Sequence, residues 1–262
     1  MPTVSGLYIY PVKSFGGIPL TTSEVGRRGL LQDRRWMLVD QEGVFMTQRT
    51  DTRLALFRTA IEPDGLKVVA PSGEVCMAPL EPEGVNRSVR VWKDMCVAIQ
   101  VSTLIDEWLS EILGRPCSLV YMPEGSLRHT NPAYTSPGDI VGFADAYPIL
   151  VIGESSLQDL NARLETPVPM NRFRPNITVA GWSAHEEDDW RELRIGDVKM
   201  RTAKKCGRCS VTTTDQETGE IGVEPLRTLA KYRLTDQSVQ FGAYFVPETP
   251  GTIRVGNPVS SR

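Results

Sequence analysis

Between Gly43 and Trp92 short β-prone runs are separated at close intervals by turn residues: Pro63-Asp64-Gly65, Pro71-Ser72-Gly73 and Glu83-Gly84. Short strands at this spacing suggest an all-β barrel or sandwich-like unit. The rest of the chain carries further strands and few helices. Leu7, Ile9 and Pro11 alternate with Tyr8, Tyr10 and Val12, a strand pattern that stops at Pro11. Ser102 or Thr103 is expected to cap a helix over Leu104 to Leu113, stopped by Gly114 and Pro116. A second helix follows the apolar run ILVIG, capped by Ser155 or Ser156. A third opens at Glu224-Pro225. The loop-rich segment from Met122 to Ala144 is the expected domain junction or active-site lid.

At 262 residues the chain can form one large or two small domains. With 40% hydrophobic and 23% charged residues it has the composition of an ordinary soluble globular protein. A net charge of -3 gives no overall basic character for nucleic acid. Five cysteines at scattered spacings do not form a disulfide framework, so a reducing setting is expected. Two histidines, His129 and His185, argue against a His-rich metal site. No signal peptide or long apolar run is present.

The densest chemistry lies in KKCGRCSVTTTDQETG, Lys204 to Gly219. Cys206 and Cys209 stand beside Lys204, Lys205 and Arg208. Neighbouring cations favour the thiolate, the form that attacks or ligates metal. The β-branched run Val211 to Thr214 is read as a strand, which puts the cysteines at a strand entrance. The C-x-x-C spacing also fits half of a zinc site, which normally needs four ligands, or a thioredoxin-like redox pair, which needs a βαβ context. Inert thiols in a basic loop are a further reading.

Other basic groups are scattered. Lys13, Ser14 and the Gly16-Gly17 pair make an anion cradle or a polar turn. In Asp33-Arg34-Arg35-Trp36, Arg34 either holds a phosphate with its planar fork or pairs with an aspartate at a strand end. Arg172 and Arg174 flank Phe173, which is expected in the core.

Taken in order, YPVKS, DRRW, NRFRPNI, CGRCSVTTTD and PGTIRVGNPV resemble the MOSC-domain proteins over essentially the whole chain. Within that family the chain resembles the amidoxime-reducing component of animals and bacterial YcbX-type proteins. The resemblance implies a mainly β (α+β) fold, with a MOSC N-terminal β-barrel domain over 1–122 packed with a MOSC β-barrel domain over 123–262. It implies a molybdenum cofactor, Mo-molybdopterin, with the metal ligated by Cys209. Lys13, Ser14, Arg34 and Arg174 would hold the pterin phosphate and ring. Asp145, Asn176, Cys206, Gly207, Arg208 and Tyr244 would line the same pocket. The implied activity is reduction of N-hydroxylated small molecules by oxygen-atom removal. A cofactor carrier or sulfur-transfer module is the alternative, because the C-terminal domain of molybdenum-cofactor sulfurase is MOSC-like too.

Two features of the longer relatives are not found in the sequence: an N-terminal membrane anchor and the C-x4-C-x2-C ligands of a ferredoxin domain. The expectation is a cytoplasmic protein, without membrane or nucleic-acid partners, served by a separate electron-transfer protein, a ferredoxin or flavin reductase.

Overall fold

The structure is a computed structural model and describes residues 1–261. The fold is mainly β, with few short helices. Its largest sheet has nine strands, running Val259–Ser261, Glu192–Ile195, Val198–Arg208, Ser238–Pro247, Ile149–Gly153, Ile177–Ala180, Thr3–Ile9 and Ile18–Leu20, with Leu234–Thr235 added on Ser238–Pro247. Ile149–Gly153 and Ile177–Ala180 are parallel, and helix Glu154–Asn161 lies in their crossover, as a parallel connection requires. Ile149–Gly153 is buried on both faces, which explains its unbroken apolar sequence.

The first half contributes a four-stranded sheet ordered Trp36–Val39, Ser118–Tyr121, Asp94–Gln100, Asn86–Val91, and a meander of Arg58–Glu62, Gly65–Val69 and Val75–Ala78. The meander turns where Pro63-Asp64-Gly65 and Pro71-Ser72-Gly73 stand. Two connections tie the ends of the chain to distant partners. The first strand, Thr3–Ile9, pairs with Ile177–Ala180. Late in the chain, Gly251–Arg254 pairs with Thr22–Gly26.

The helix expected after Ser102 spans Thr103–Leu113 and buries Ile105, Leu109 and Leu113, spaced four apart on one face. Gly114 closes it in the left-handed conformation. The other helix starts differ from expectation. Gly153, not a serine, caps Glu154–Asn161, because Ser156 Oγ donates to the buried Glu187 carboxylate at 2.8 Å and Ser155 Oγ donates to Trp182 O. In the third helix, Leu226–Ala230, Pro225 stands just outside and the Glu224 carboxylate accepts from Thr228 N at 3.0 Å.

The largest correction concerns the cysteines. They stand at a strand exit, not an entrance: strand Val198–Arg208 contains Cys206 and ends just before Cys209. The run after it is no strand; Ser210–Thr213 forms one 3₁₀ turn. Thr212 Oγ1 donates to Cys209 O at 2.9 Å and Thr213 Oγ1 to Ser210 O at 2.8 Å. Hydroxyls that bond back to nearby carbonyls offer the backbone an alternative to the sheet ladder, and here they outweigh the β preference of the side chains.

Candidate functional site

A cavity of about 520 Å³ opens between the two halves of the chain. Every site residue implied by the family resemblance lines it, although they come from six separate segments, whereas Gly16, Gly17, Arg172 and Lys205 do not.

Lys13 follows the first strand, and its backbone N donates to Trp36 O at 2.8 Å. Its buried ammonium donates to Phe143 O at 2.8 Å and pairs with the Asp145 carboxylate. Burial pushes the Lys13 pKa down to about 8, against the pull of Asp145. Burial alone would raise Asp145, yet Lys13 and Arg49 hold its carboxyl far below the usual range. Next to Lys13, Ser14 has φ 71° and its carbonyl accepts from Gln48 Nε2 at 2.6 Å.

Arg34 makes the aspartate pair of one of its two sequence readings. Its Nη1 reaches both oxygens of buried Asp33 at 2.7 Å, and it also lines the cavity. Gly142 lets the 141–143 segment lie against it: a Cβ there would stand 2.8 Å from Arg34 O. Arg34 and Arg174 both lie over the Tyr10 ring, at 4.1 and 4.2 Å from its centroid. Burial lowers Arg174 to about 10 and raises Tyr10 to about 12, the latter in spite of both guanidiniums. Arg34 at φ 49° and Arg174 at φ 55° share the left-handed backbone of Ser14. Such non-glycine conformations cost of order 1–3 kcal/mol each and persist where surrounding structure holds them, often at ligand clamps.

Asn176 lines the cavity wall, but its amide is spent on stitching strands. Its Oδ1 accepts from Leu150 N at 3.1 Å and its Nδ2 donates to Tyr8 O at 3.2 Å. Phe173 is in the core, its ring tilted against Phe241 with centroids 4.3 Å apart.

The two cysteines occupy different places. Cys206 is 1% exposed, in the core beside Phe173 and Phe241. Its sulfur accepts from Arg208 Nη1 at 2.9 Å. Gly207 is needed between them, since a Cβ would collide with the Ser238 hydroxyl. Arg208 Nη2 donates to Phe173 O at 2.6 Å, and its buried Nε has no protein partner. Burial opposes its charge, but Cys206 and Tyr244 raise its pKa on balance. Tyr244 itself is pushed well above its ordinary value by burial and by Cys206, and stacks at 5.3 Å on Tyr147.

Cys209 is half-buried, with its sulfur 3.1 Å from Arg49 Nη2. Arg49 was not identified from the sequence, nor was Trp92, which lies at the rim. The available signal for Arg49 was the polar run Thr47-Gln48-Arg49-Thr50-Asp51 directly after Val44-Phe45-Met46.

Among the lining residues six cations, Lys13, Arg34, Arg49, Arg174, Lys204 and Arg208, face one carboxylate, Asp145. A chain of net charge -3 has gathered positive charge in one concave place. The arrangement can hold an anion and present one thiol to it. Among the described residues no group of three or more His, Cys, Asp or Glu side chains is placed to hold a metal ion. No helix there is long and apolar enough to cross a membrane.

Residues 1–116 match the MOSC N-terminal beta barrel domain and residues 138–260 match the MOSC domain. Mitochondrial amidoxime-reducing component 1 of Homo sapiens is 37% identical over 98% of this chain and 82% of its own length. The Mus musculus protein of the same name is 38% identical over 98% and 81%. Mitochondrial amidoxime reducing component 2 of Homo sapiens is 34% identical over 98% and 82%. These relatives are named mitochondrial proteins, which overturns the cytoplasmic expectation. With both domain matches and these identities in hand, the chain belongs to the MOSC-domain proteins, as a homologue of the mitochondrial amidoxime-reducing components.

Proposed function

We propose that this protein reduces N-hydroxylated compounds, such as hydroxylamines, amidoximes and N-hydroxylated base analogues, using a molybdenum cofactor whose metal is ligated by Cys209. Homology to the amidoxime-reducing components supports the broader statement, a redox enzyme that depends on a molybdenum cofactor. The finer reading is carried by one observation: the Cys209 sulfur lies in the same cavity as six cationic side chains.

The residues fit an anionic, phosphate-bearing pterin. A phosphate carries about -1.5 to -2 charge. Arg208 Nε is a buried donor without a protein partner in the cavity wall. Ser14, Arg34 and Arg174 hold strained backbone around the same space. Lys13, Ser14, Arg34 and Arg174 would hold the phosphate and ring, with Asp145, Asn176, Cys206, Gly207, Arg208 and Tyr244 lining the site. When bound, the group supplies two-electron removal of oxygen. The overall reaction takes an N-hydroxyl compound, two electrons and two protons to the N–H compound and water.

The chain's own part is positioning. Arg49 fixes the Cys209 sulfur at the cavity wall, and Asp145 holds Arg49 and Lys13 in place. Lys13 is buried and the other five cations are partly buried, and cations screened from water interact with an anion more strongly than they would in bulk solvent. Electrons would come from a separate ferredoxin or flavin reductase. The test is metal analysis of freshly purified protein together with amidoxime reduction driven by a reduced dye. Molybdenum with turnover is the expected result; one equivalent of zinc and no molybdenum would overturn the reading.

A further inference from the structure

Strands Asn86–Val91 and Asp94–Gln100 pair with Val91 opposite Asp94, which leaves Trp92 and Lys93 as a two-residue turn. The first place of such a turn takes positive φ and favours glycine, asparagine or aspartate. Trp92 occupies it at φ 56°. A bulky residue in this conformation is an outlier, and it persists where structure or function requires it.

Core packing does not explain the choice, because Trp92 is 46% exposed. Its ring borders the cavity instead. The Arg49 guanidinium lies 4.8 Å from the indole centroid, and the Phe45 ring leans against it at 4.9 Å. Indole Nε1 makes a long contact, 3.4 Å, with Asp145 Oδ1. Arg49 in turn reaches Cys209 Sγ. Arg49 therefore stands between the half-exposed indole and the half-buried Cys209 sulfur.

From this placement we infer that Trp92 is a specificity-determining residue: it stacks on a planar aromatic group attached to the N-hydroxylated end of the substrate. The inference rests on the reductase reading. A ring substituent offers the indole a planar face to stack on, whereas a methyl group offers none. An aromatic pair of this kind contributes about two- to tenfold in selectivity.

The test compares kcat/KM for benzamidoxime and acetamidoxime in the wild type and in Trp92→Phe, Trp92→Leu and Trp92→Gly. The left-handed backbone accepts glycine best, so Trp92→Gly provides a non-aromatic variant should Trp92→Leu fold poorly. We expect the benzamidoxime to acetamidoxime ratio to fall about two- to tenfold in the Leu and Gly variants. Trp92→Phe should keep most of it. Separately, the indole N–H resonance that is missing from Trp92→Phe should shift in the wild type on addition of benzamidoxime, and not on addition of acetamidoxime. An unchanged ratio in folded Leu or Gly variants, or an unmoved indole signal at saturating benzamidoxime, overturns the assignment. A protein that reduces neither compound counts against the reductase reading, and the indole signal still decides the role of Trp92.

Discussion

Arg49 Nη2 stands 3.1 Å from Cys209 Sγ, so a side chain from the first half of the chain holds the sulfur of the second. The same nitrogen reaches Asp145 Oδ2 at 2.8 Å. Arg49→Gln and Asp145→Asn should therefore be non-additive. Residues in one ion-pair network couple by about 0.5–3 kcal/mol. Asp145 keeps 37% of its side chain exposed, so screening places the expected value near the low end, at about 1 kcal/mol. Urea denaturation of both single variants and the double variant measures it. Strict additivity would show that the contact holds nothing in place.

The cysteines should separate cleanly. Cys209→Ala removes a half-buried thiol and should leave stability within about 1 kcal/mol of the wild type. Under the proposed function it abolishes oxygen removal. Cys206→Ala takes a buried acceptor from the partly buried Arg208 and should cost about 1–3 kcal/mol. Cys206→Ser, which keeps an acceptor, should recover part of that loss. Thermal melts and amidoxime turnover on all three variants are the measurements. Wild-type turnover by Cys209→Ala would sink the assignment of the metal ligand.

Arg174→Ala should weaken retention of the cofactor before it affects anything else. A charge-assisted contact is worth about 1.5–3 kcal/mol, which corresponds to roughly a tenfold or greater loss. Arg174→Lys should rescue only in part, because an ammonium lacks the planar fork that also lies over Tyr10. Molybdenum content after gel filtration reads this directly, and full content in Arg174→Ala would mark the arginine as structural.

Asp145 gives the pH dependence. Burial would raise its pKa, but Lys13 and Arg49 more than offset that, so its folded value lies below the unfolded value of about 3.9. A depressed carboxyl contributes stability that is complete above the unfolded value and is lost as pH falls towards the folded one. The stability difference between wild type and Asp145→Asn should stay flat from about pH 7 to 5 and narrow below about pH 4. Equilibrium unfolding across that range tests the sign; a difference that widens in acid contradicts it.

Much of this was readable in the residues because the signals were local. Turn residues marked the meander over residues 58–78, and a Leu/Ile face with a glycine stop marked helix Thr103–Leu113. Lys13, Arg34, Arg174 and the two cysteines stand in short motifs of basic and sulfur-bearing side chains, whereas Asp145, Asn176 and Tyr244 followed only from the family resemblance. Arg49 and Trp92 were missed for a different reason. Arg49 meets Cys209 across 160 positions of sequence, and no local pattern encodes such a meeting. The 3₁₀ turn at Ser210–Thr213 was missed because β-branched side chains suggest a strand, while hydroxyl-to-carbonyl bonds decided the backbone.

Strand Thr3–Ile9 finds its partner at Ile177–Ala180, and Thr22–Gly26 waits for Gly251–Arg254. The cavity wall itself draws on Lys13 at one extreme and Tyr244 at the other. During synthesis each of these strands meets one neighbour at once, Ile18–Leu20 for the first and Gly29–Leu30 for the second, but its other edge waits for a strand made far later. Pairing over such separations is intrinsically slow. A cofactor that needs the finished cavity can load only once Tyr244 has been made, so a cell that makes this chain faster than it can be filled would accumulate folded, empty protein rather than stalled, half-made enzyme.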